Sequence, residues 1–219
     1  MFESYLIPNW FFGFDIAMEL LFAVITFLVA VFAFKISSVT KEKKVKLFGI
    51  GFLLISLSYF VWAGLNYWFV DLVQDGFREI SINQVAFIGV LSLYAYVTLF
   101  TIGLVTLAYL TCNNLGGRTY YLMIGLSLLV IASSLYKLIS FRILSIFLIS
   151  FILYRYFEDY LKNKNKKTLL VSLAFALLLL SSIDFLFLSV YYETYVLGHI
   201  LELAAYLLIL VNLIKSVKQ

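Results

Sequence analysis

The sequence of 219 residues contains one cysteine, one histidine and one proline, and only 13% of its residues are charged. The single cysteine, Cys112, excludes an intrachain disulfide and a cluster of thiolate metal ligands. The single histidine, His199, excludes a bis-histidine haem site and a three-histidine zinc site within the chain. The sequence also lacks a G-x-S-x-G elbow and a phosphate-binding G-x-x-x-x-G-K-[ST] loop. The sequence therefore shows no motif for covalent catalysis or for nucleotide binding.

What the chain has instead is apolar sequence: 64% of its residues are hydrophobic and its mean hydropathy is +1.04. Soluble domains average about 45 to 50% apolar residues, and a helix that crosses a bilayer needs about 20 apolar residues in a row. The sequence therefore predicts an all-α integral membrane protein, with residues 1–219 forming a single domain of seven transmembrane helices. The predicted helices are approximately 11–34, 47–70, 84–110, 119–136, 139–157, 168–190 and 194–214. The fourth and fifth lie so close together around Lys137 that a tight helical hairpin and one long bent helix both remain open.

The positions of lysine and arginine predict how the chain is oriented. Thirteen of the sixteen fall after the first, third, fifth and seventh segments, mainly in two basic stretches, 35–46 and 155–167. Only Arg78, Lys137 and Arg142 fall on the opposite side. Because basic loops stay in the cytoplasm, the N-terminus is expected outside and the C-terminus in the cytoplasm of a cell-membrane protein with several spans.

The basic stretches also bear on partners. In a membrane protein such stretches contact anionic lipid headgroups, so the lipid bilayer is the first partner expected. They also offer a surface to a cytoplasmic signalling protein. No nucleic-acid partner is expected, because none of the recognised binding modules accompanies the charge.

Ionisable residues inside the apolar segments are the candidates for function. A charge placed in the bilayer costs roughly 3 kcal/mol even on the gentler insertion scales, so such residues are functional by default. At a rise of about 1.5 Å per residue they all fall in the outer half of the bilayer, at a depth comparable to that of one asparagine. The predicted ligand- or proton-binding residues are His199, Glu202, Glu19, Asp15, Asp184 and Asn66.

The spacing of these residues favours a shared site. Asp15 and Glu19 are four residues apart and share one helix face, and Glu202 follows His199 by one helical turn. If the first and last helices are neighbours, the two pairs face each other. A divalent metal is then a candidate cofactor, with His199, Glu202 and Glu19 as its ligands. No residue is assigned a catalytic role. The alternative is that His199 and Glu202 only hydrogen-bond neighbouring helices, as polar side chains often do in lipid.

Three short stretches carry a resemblance to a known family. They are the residues 15–21 (DIAMELL), 47–53 (LFGIGFL) and 197–206 (LGHILELAAY). Together they resemble the third type of membrane-associated sensor domain, the integral-membrane input domain of histidine kinases and diguanylate cyclases. The resemblance covers nearly the whole chain and transfers site roles to Glu19, Gly198, His199 and Glu202.

The chain also departs from that family. The family pattern has a polar residue or a histidine late in the second helix, where this chain has Tyr59 and Trp62. Family members continue into a kinase or cyclase module, so the resemblance implies here a free-standing sensor that signals through a separate partner.

Three functions therefore remain open. The first is a sensor or receptor-like module that binds a ligand, a proton or a metal ion in an outer-half cavity. The second is a small proton- or ion-coupled transporter with a relay of carboxylates and His199; the only proline, Pro8, lies outside all seven segments, so the broken helices of many carriers have no signal here. The third is a metal-assisted intramembrane enzyme, which needs several metal ligands and a wet cavity.

Overall fold

Seven α-helices make up the described part of the protein. The computed structural model describes residues 13–74, 82–112, 116–186 and 192–217, and these ranges contain no strand. The helices are α1 (Phe14–Thr40), α2 (Lys43–Gln74), α3 (Ile82–Thr111), α4 (Gly117–Ser133), α5 (Lys137–Asn163), α6 (Lys166–Asp184) and α7 (Tyr192–Val217). All but α4 are long and apolar enough to cross a membrane, whereas α4 is apolar but has only 17 residues. The prediction of an all-α protein is confirmed for the described residues, and the six long apolar helices are those expected of a multi-pass membrane protein.

Most helices are longer than the apolar segments of the sequence. The first predicted segment ended at 34 and the fifth at 157, but α1 continues to Thr40 and α5 to Asn163. A helix satisfies its own backbone hydrogen bonds, so it continues past the last apolar residue into polar surroundings. Consequently the stretches 35–46 and 155–167 are mainly helix ends, and their description as loops is corrected. Residues 11–12 and 187–190, parts of the first and sixth predicted segments, lie outside the described residues, as does Arg78.

Two-residue turns connect α1 to α2 and α5 to α6. Each of the two earlier helices ends at a lysine with positive φ: Lys41 (φ 56°) donates its N–H to the Ser37 carbonyl (2.8 Å), and Lys164 (φ 50°) donates to the Tyr160 carbonyl (2.7 Å). Asn165 then caps α6 by accepting the N–H of Lys167 (2.9 Å). Such short turns make consecutive helices antiparallel neighbours.

The chain between α4 and α5 is broken rather than bent. Ser134 adopts an extended conformation (φ −75°, ψ 144°), and helical structure resumes only at Lys137. The Lys137 ammonium group donates to the carbonyl oxygen of Ala132 (2.6 Å), one of the last carbonyls of α4. Of the two alternatives for this region, one long bent helix is therefore excluded.

Six helices form a closed ring in the order α1, α2, α3, α5, α6, α7, and α4 packs outside it against α3 and α5. The contact between α1 and α7 closes the ring, which confirms that the first and last helices are neighbours. The core inside the ring is aromatic and aliphatic. Its largest fully buried side chains include Phe22, Phe52, Phe141, Phe175 and Tyr206.

Helices α3 and α5 run in the same direction. Phe100, just past the middle of α3, and Phe141, near the start of α5, have ring centres 5.4 Å apart. Further along both helices, the Arg155 guanidinium donates to the carbonyl oxygen of Thr111 (3.3 Å). Two parallel neighbours need a connection that returns along their length, and α4 is that connection. The hydroxyls of Thr106 and Tyr120 are hydrogen-bonded (2.9 Å), which places the start of α4 beside the last part of α3.

Helices α2 and α3 approach each other closely at two glycines. A Cβ atom built on Gly103 would lie 2.8 Å from the Gly51 carbonyl oxygen and 2.7 Å from the Ile55 side chain. A Cβ atom built on Gly51 would lie 2.8 Å from the Leu107 side chain. Side chains at either glycine would push the two helices apart, so this crossing requires glycine.

Candidate functional site

A cavity of about 290 Å³ lies inside the ring, at the end where α1, α3, α5 and α7 begin. Five helices and the turn after α6 supply its walls. The lining residues are Glu19, Phe22, Tyr59, Trp62, Tyr96, Leu138, Ile139, Arg142, Phe185, Leu186, Tyr195, His199 and Glu202. Three of the six predicted site residues, Glu19, His199 and Glu202, are therefore brought together. The cavity is near the lower end of the usual range for small-molecule sites, roughly 300 to 1,000 Å³.

Glu202 lines this cavity and is held by two tyrosines. The hydroxyl of Tyr59 on α2 donates to Glu202 Oε1, and the hydroxyl of Tyr206, one helical turn further along α7, donates to the same oxygen at 3.4 Å. The two hydroxyls are also within hydrogen-bonding distance of each other, at 2.9 Å. All three residues are buried. This triad ties α2 to α7 across the ring.

Glu19 is the second carboxylate of the cavity, and it too has its own donor. The side-chain amide of Asn66 on α2 donates to both carboxylate oxygens, at 3.1 and 2.9 Å. Asn66 does not line the cavity, so its role is to hold Glu19 in place. The sequence placed Asn66 and Glu19 at comparable depth, and the structure shows that the two side chains are in contact.

His199 lies among aromatic rings. Its Nδ1 donates to the carbonyl oxygen of Tyr195 (2.9 Å), which fixes the orientation of the imidazole. The ring centres of Tyr195 and Phe185 lie 4.4 and 5.1 Å from the imidazole centre. Gly198 makes this packing possible, because a Cβ atom there would lie 3.1 Å from the Phe185 ring.

Arg142 is a cavity residue that the sequence analysis counted only as a marker of orientation. It lies in the second turn of α5, and its guanidinium group stands 4.3 Å from the centre of the Phe185 ring. Among the described residues it makes no hydrogen bond and no ion pair. Its depth inside the apolar stretch 138–153 was the available signal, because an arginine more than one turn inside such a stretch is seldom a loop residue.

Besides Asn66, two other predicted site residues do not line the cavity. Asp15 is buried close to it, but its carboxylate accepts the N–H groups of Gly13 and Ile16 (both 2.9 Å) and so stabilises the start of α1. Asp184 is the last residue of α6 and is only partly buried. In the structure both residues therefore lie at helix ends and not in the lining of the cavity.

The carboxylates and the histidine do not form a metal centre in this geometry. The described ranges contain no group of three or more histidine, cysteine, aspartate or glutamate side chains that could hold a metal ion. Glu19 and Glu202 are instead occupied by Asn66 and by the two tyrosines. The set His199, Glu202 and Glu19 therefore surrounds a cavity without converging on one point.

The position late in the second helix, where the sequence departs from the sensor-domain pattern, also belongs to this site. Tyr59 supplies a polar group there after all, because its hydroxyl reaches Glu202. The sequence could not identify this contact, since the two residues are 143 positions apart.

Comparisons of the chain with protein-family models, with curated proteins and with solved structures find no significant match.

Proposed function

We propose that the protein is a sensor or receptor-like module of the cell membrane that binds a small molecule in its outer-half cavity and signals to a separate cytoplasmic protein. The observation that supports this proposal most is the cavity itself, since five ring helices and the turn after α6 meet there. A ligand at such a point contacts nearly every element of the ring. It can therefore favour one packing of the helices over another, which is what transmission of a signal requires.

The proposal includes seven membrane crossings, with the N-terminus outside. Its basis is the parallel arrangement of α3 and α5, because α4 must then return the chain from one end of the ring to the other. The 17 residues of α4 give a length of about 25 Å at a rise of about 1.5 Å per residue, which is close to the thickness of a hydrocarbon core. An odd number of crossings puts the two termini on opposite sides.

Tags at the two termini test this topology. We expect an N-terminal epitope tag to be digested by protease added to intact cells, and a C-terminal tag to be digested only after the membrane is opened. The reason is that α4 supplies the seventh crossing and that the basic helix ends stay in the cytoplasm. Equal accessibility of both tags would show that the number of crossings is even and would contradict the proposed topology.

The proposed partner surface is the opposite end of the bundle. The basic ends of α1, α2, α5 and α6 lie there, in the two stretches 35–46 and 155–167. The end of α5 is ordered by ion pairs, since Glu158 binds both Arg155 (2.8 Å) and Lys162 (2.6 Å). This end presents a cationic surface to acidic partner proteins as well as to headgroups.

Cys112 provides the test of signal transmission. It is the only cysteine and lies at the inner end of α3, about 24 Å along the helix from Tyr96 in the cavity. We expect a fluorophore on Cys112 to change its emission when a small molecule fills the cavity. Three probes with the same aromatic body, 3-phenylpropionate, phenethylamine and 3-phenylpropionamide, would be added to protein in nanodiscs. The control is labelled protein denatured in detergent, which has no cavity.

Binding itself is followed separately through Trp62, which lines the cavity. Replacing the other two tryptophans, Trp10 and Trp68, with phenylalanine makes Trp62 the only one. If a probe changes the emission of Trp62 and also that of the label, the sensor proposal is supported. If probes bind at Trp62 while the label does not respond, the cavity binds without signalling and the sensor proposal is wrong.

A transporter is the second candidate, and a second cavity favours it. This cavity, also about 290 Å³, lies at the opposite end of the ring and is lined by residues that include Lys44, Phe48, Thr111, Tyr156 and Asp159. Between the two cavities lies a void of about 10 Å³, whose walls include both Arg142 and Tyr206. Two cavities at opposite ends of one bundle are compatible with a carrier that exposes a site to each side in turn.

Proteoliposomes distinguish the carrier from the sensor. A carrier would accumulate radiolabelled 3-phenylpropionate or phenethylamine under a pH gradient, and the uptake would be lost in a Glu202→Gln variant. Saturable binding at Trp62 without uptake above that of protein-free liposomes would rule out the carrier for these compounds.

A further inference from the structure

The guanidinium of Arg142 is a cation on the cavity wall without an anionic partner. Its contacts among the described residues are with aromatic rings: Phe185 at 4.3 Å and Phe141 at 5.4 Å from the ring centres. No carboxylate oxygen of a described residue lies within ion-pair distance of it. A charge held inside a membrane protein without a counter-ion is unfavourable, and such residues usually mark a substrate or ion site.

The two carboxylates of the cavity differ from Arg142 in this respect. Glu202 accepts hydrogen bonds from two tyrosine hydroxyls, and Glu19 accepts two from the amide of Asn66. The protein therefore supplies hydrogen-bond donors to the two glutamates of the cavity but no acceptor to Arg142. The group that the cavity lacks is an anion at Arg142.

We propose that the cavity binds a small organic carboxylate, with the carboxylate on the Arg142 guanidinium and an apolar body among the aromatic side chains. This inference rests on the proposed ligand-binding function and names the chemical class of the ligand. The planar guanidinium presents paired N–H donors that match the two oxygens of a carboxylate. The rings of Phe22, Trp62, Tyr96 and Tyr195 provide the apolar surroundings for the rest of the molecule.

Such a carboxylate can reach the cavity from water or from the bilayer. Leu138 and Ile139 line the cavity and are also about half exposed, so they connect it to the surface of the bundle. A soluble aromatic acid and the free fatty acids of a membrane share the required chemistry. The experiment therefore includes one of each, 3-phenylpropionate and oleate.

The test measures affinity through Trp62 in nanodiscs, with 3-phenylpropionate, its amide 3-phenylpropionamide and oleate as probes. We expect a saturable response to at least one acid, and the matched amide to bind at least tenfold more weakly than the aromatic acid if that acid is the one bound. Arg142→Gln should weaken binding of the acid by about 10- to 100-fold, the range of a charged hydrogen bond, and leave the amide unchanged. Arg142→Lys should give an intermediate loss, because it keeps the charge but not the paired donors.

Arg155→Gln is the matched control, since Arg155 is on the same helix but lies at the opposite end of the bundle. This variant should bind the acids as the wild type does. A melting curve of Arg142→Gln without ligand accompanies the titration. We expect its melting temperature to equal or exceed that of the wild type, because the substitution removes a charge that has no counter-ion.

Several outcomes would overturn the assignment. Equal affinity for the acid and the amide would show that Arg142 does not bind the carboxylate. Equal losses of affinity for both compounds in Arg142→Gln would show the same. A marked fall in the melting temperature of ligand-free Arg142→Gln would show that the guanidinium is a structural counter-ion of Glu202 instead. Tighter binding of phenethylamine than of the acid would also refute the carboxylate while leaving the sensor proposal intact. If the acid binds tightly but the emission of the Cys112 label does not change, the sensor proposal is refuted and the proposed carboxylate site stands.

Discussion

Replacement of Glu202 by alanine is expected to lower the free energy of unfolding by about 3 kcal/mol, one of the two largest effects of a single substitution in this chain. The substitution removes the acceptor of two buried hydroxyls, those of Tyr59 and Tyr206. A buried donor left without an acceptor costs about 1 to 3 kcal/mol, and here the hydroxyls can satisfy only one of their two protons with each other. The lost side chain also enlarges the cavity that Glu202 lines. Unfolding in a denaturing detergent, followed by circular dichroism, measures this change.

Glu202→Gln is the matched variant, because glutamine keeps an acceptor oxygen at the same position. We expect it to cost less than half as much as Glu202→Ala. The second control is a double background, Tyr59→Phe with Tyr206→Phe, in which no hydroxyl depends on Glu202. There, Glu202→Ala should cost less than it does in the wild type. Equal costs in the two backgrounds would mean that the triad does not connect α2 to α7 energetically.

The order of the helices in the ring explains which parts of this site could be predicted from the sequence. Apolar runs identified the seven helices, and the one-turn spacing of His199 and Glu202 correctly placed both on one face. The closure of the ring by α1 and α7 then brought Glu19 to the same cavity. These features follow from local periodicity together with one assumption, that the first and last helices meet.

To predict that Arg142 lines the cavity, one must know the order of the helices in the ring, and the sequence does not give that order. Arg142 faces the cavity because α5 takes the place beside α3 and leaves α4 outside. Had α4 occupied that place, a different face of α5 would have been buried. The direction of a side chain on an apolar helix thus depends on which neighbours the helix has, and the interior and exterior of a membrane bundle are nearly equally apolar. For the same reason the partnership of Tyr59 with Glu202 could not be predicted.

Gly103→Ala is expected to have the other large effect, a loss of about 2 kcal/mol in the free energy of unfolding. The added methyl group would lie 2.8 Å from the Gly51 carbonyl oxygen, which is a backbone atom that cannot move without moving α2. Gly51→Ala should cost less, because its closest contact is the flexible end of the Leu107 side chain, at 2.8 Å. Detergent unfolding measured by circular dichroism gives both values.

The control for this crossing is Gly125→Ala on α4, where a Cβ atom would meet nothing within 4 Å. Alanine favours helix over glycine by up to about 1 kcal/mol, so this variant should be no less stable than the wild type. A further test separates the backbone contact of Gly103 with Gly51 from its side-chain contact with Ile55. Shortening Ile55 to alanine, which removes the Cγ1 atom in contact with the added methyl group, should not recover the loss in Gly103→Ala, because the contact with the Gly51 carbonyl remains. If it does recover the loss, the two backbones are not in close contact, and the packing of α2 on α3 is set by side chains instead.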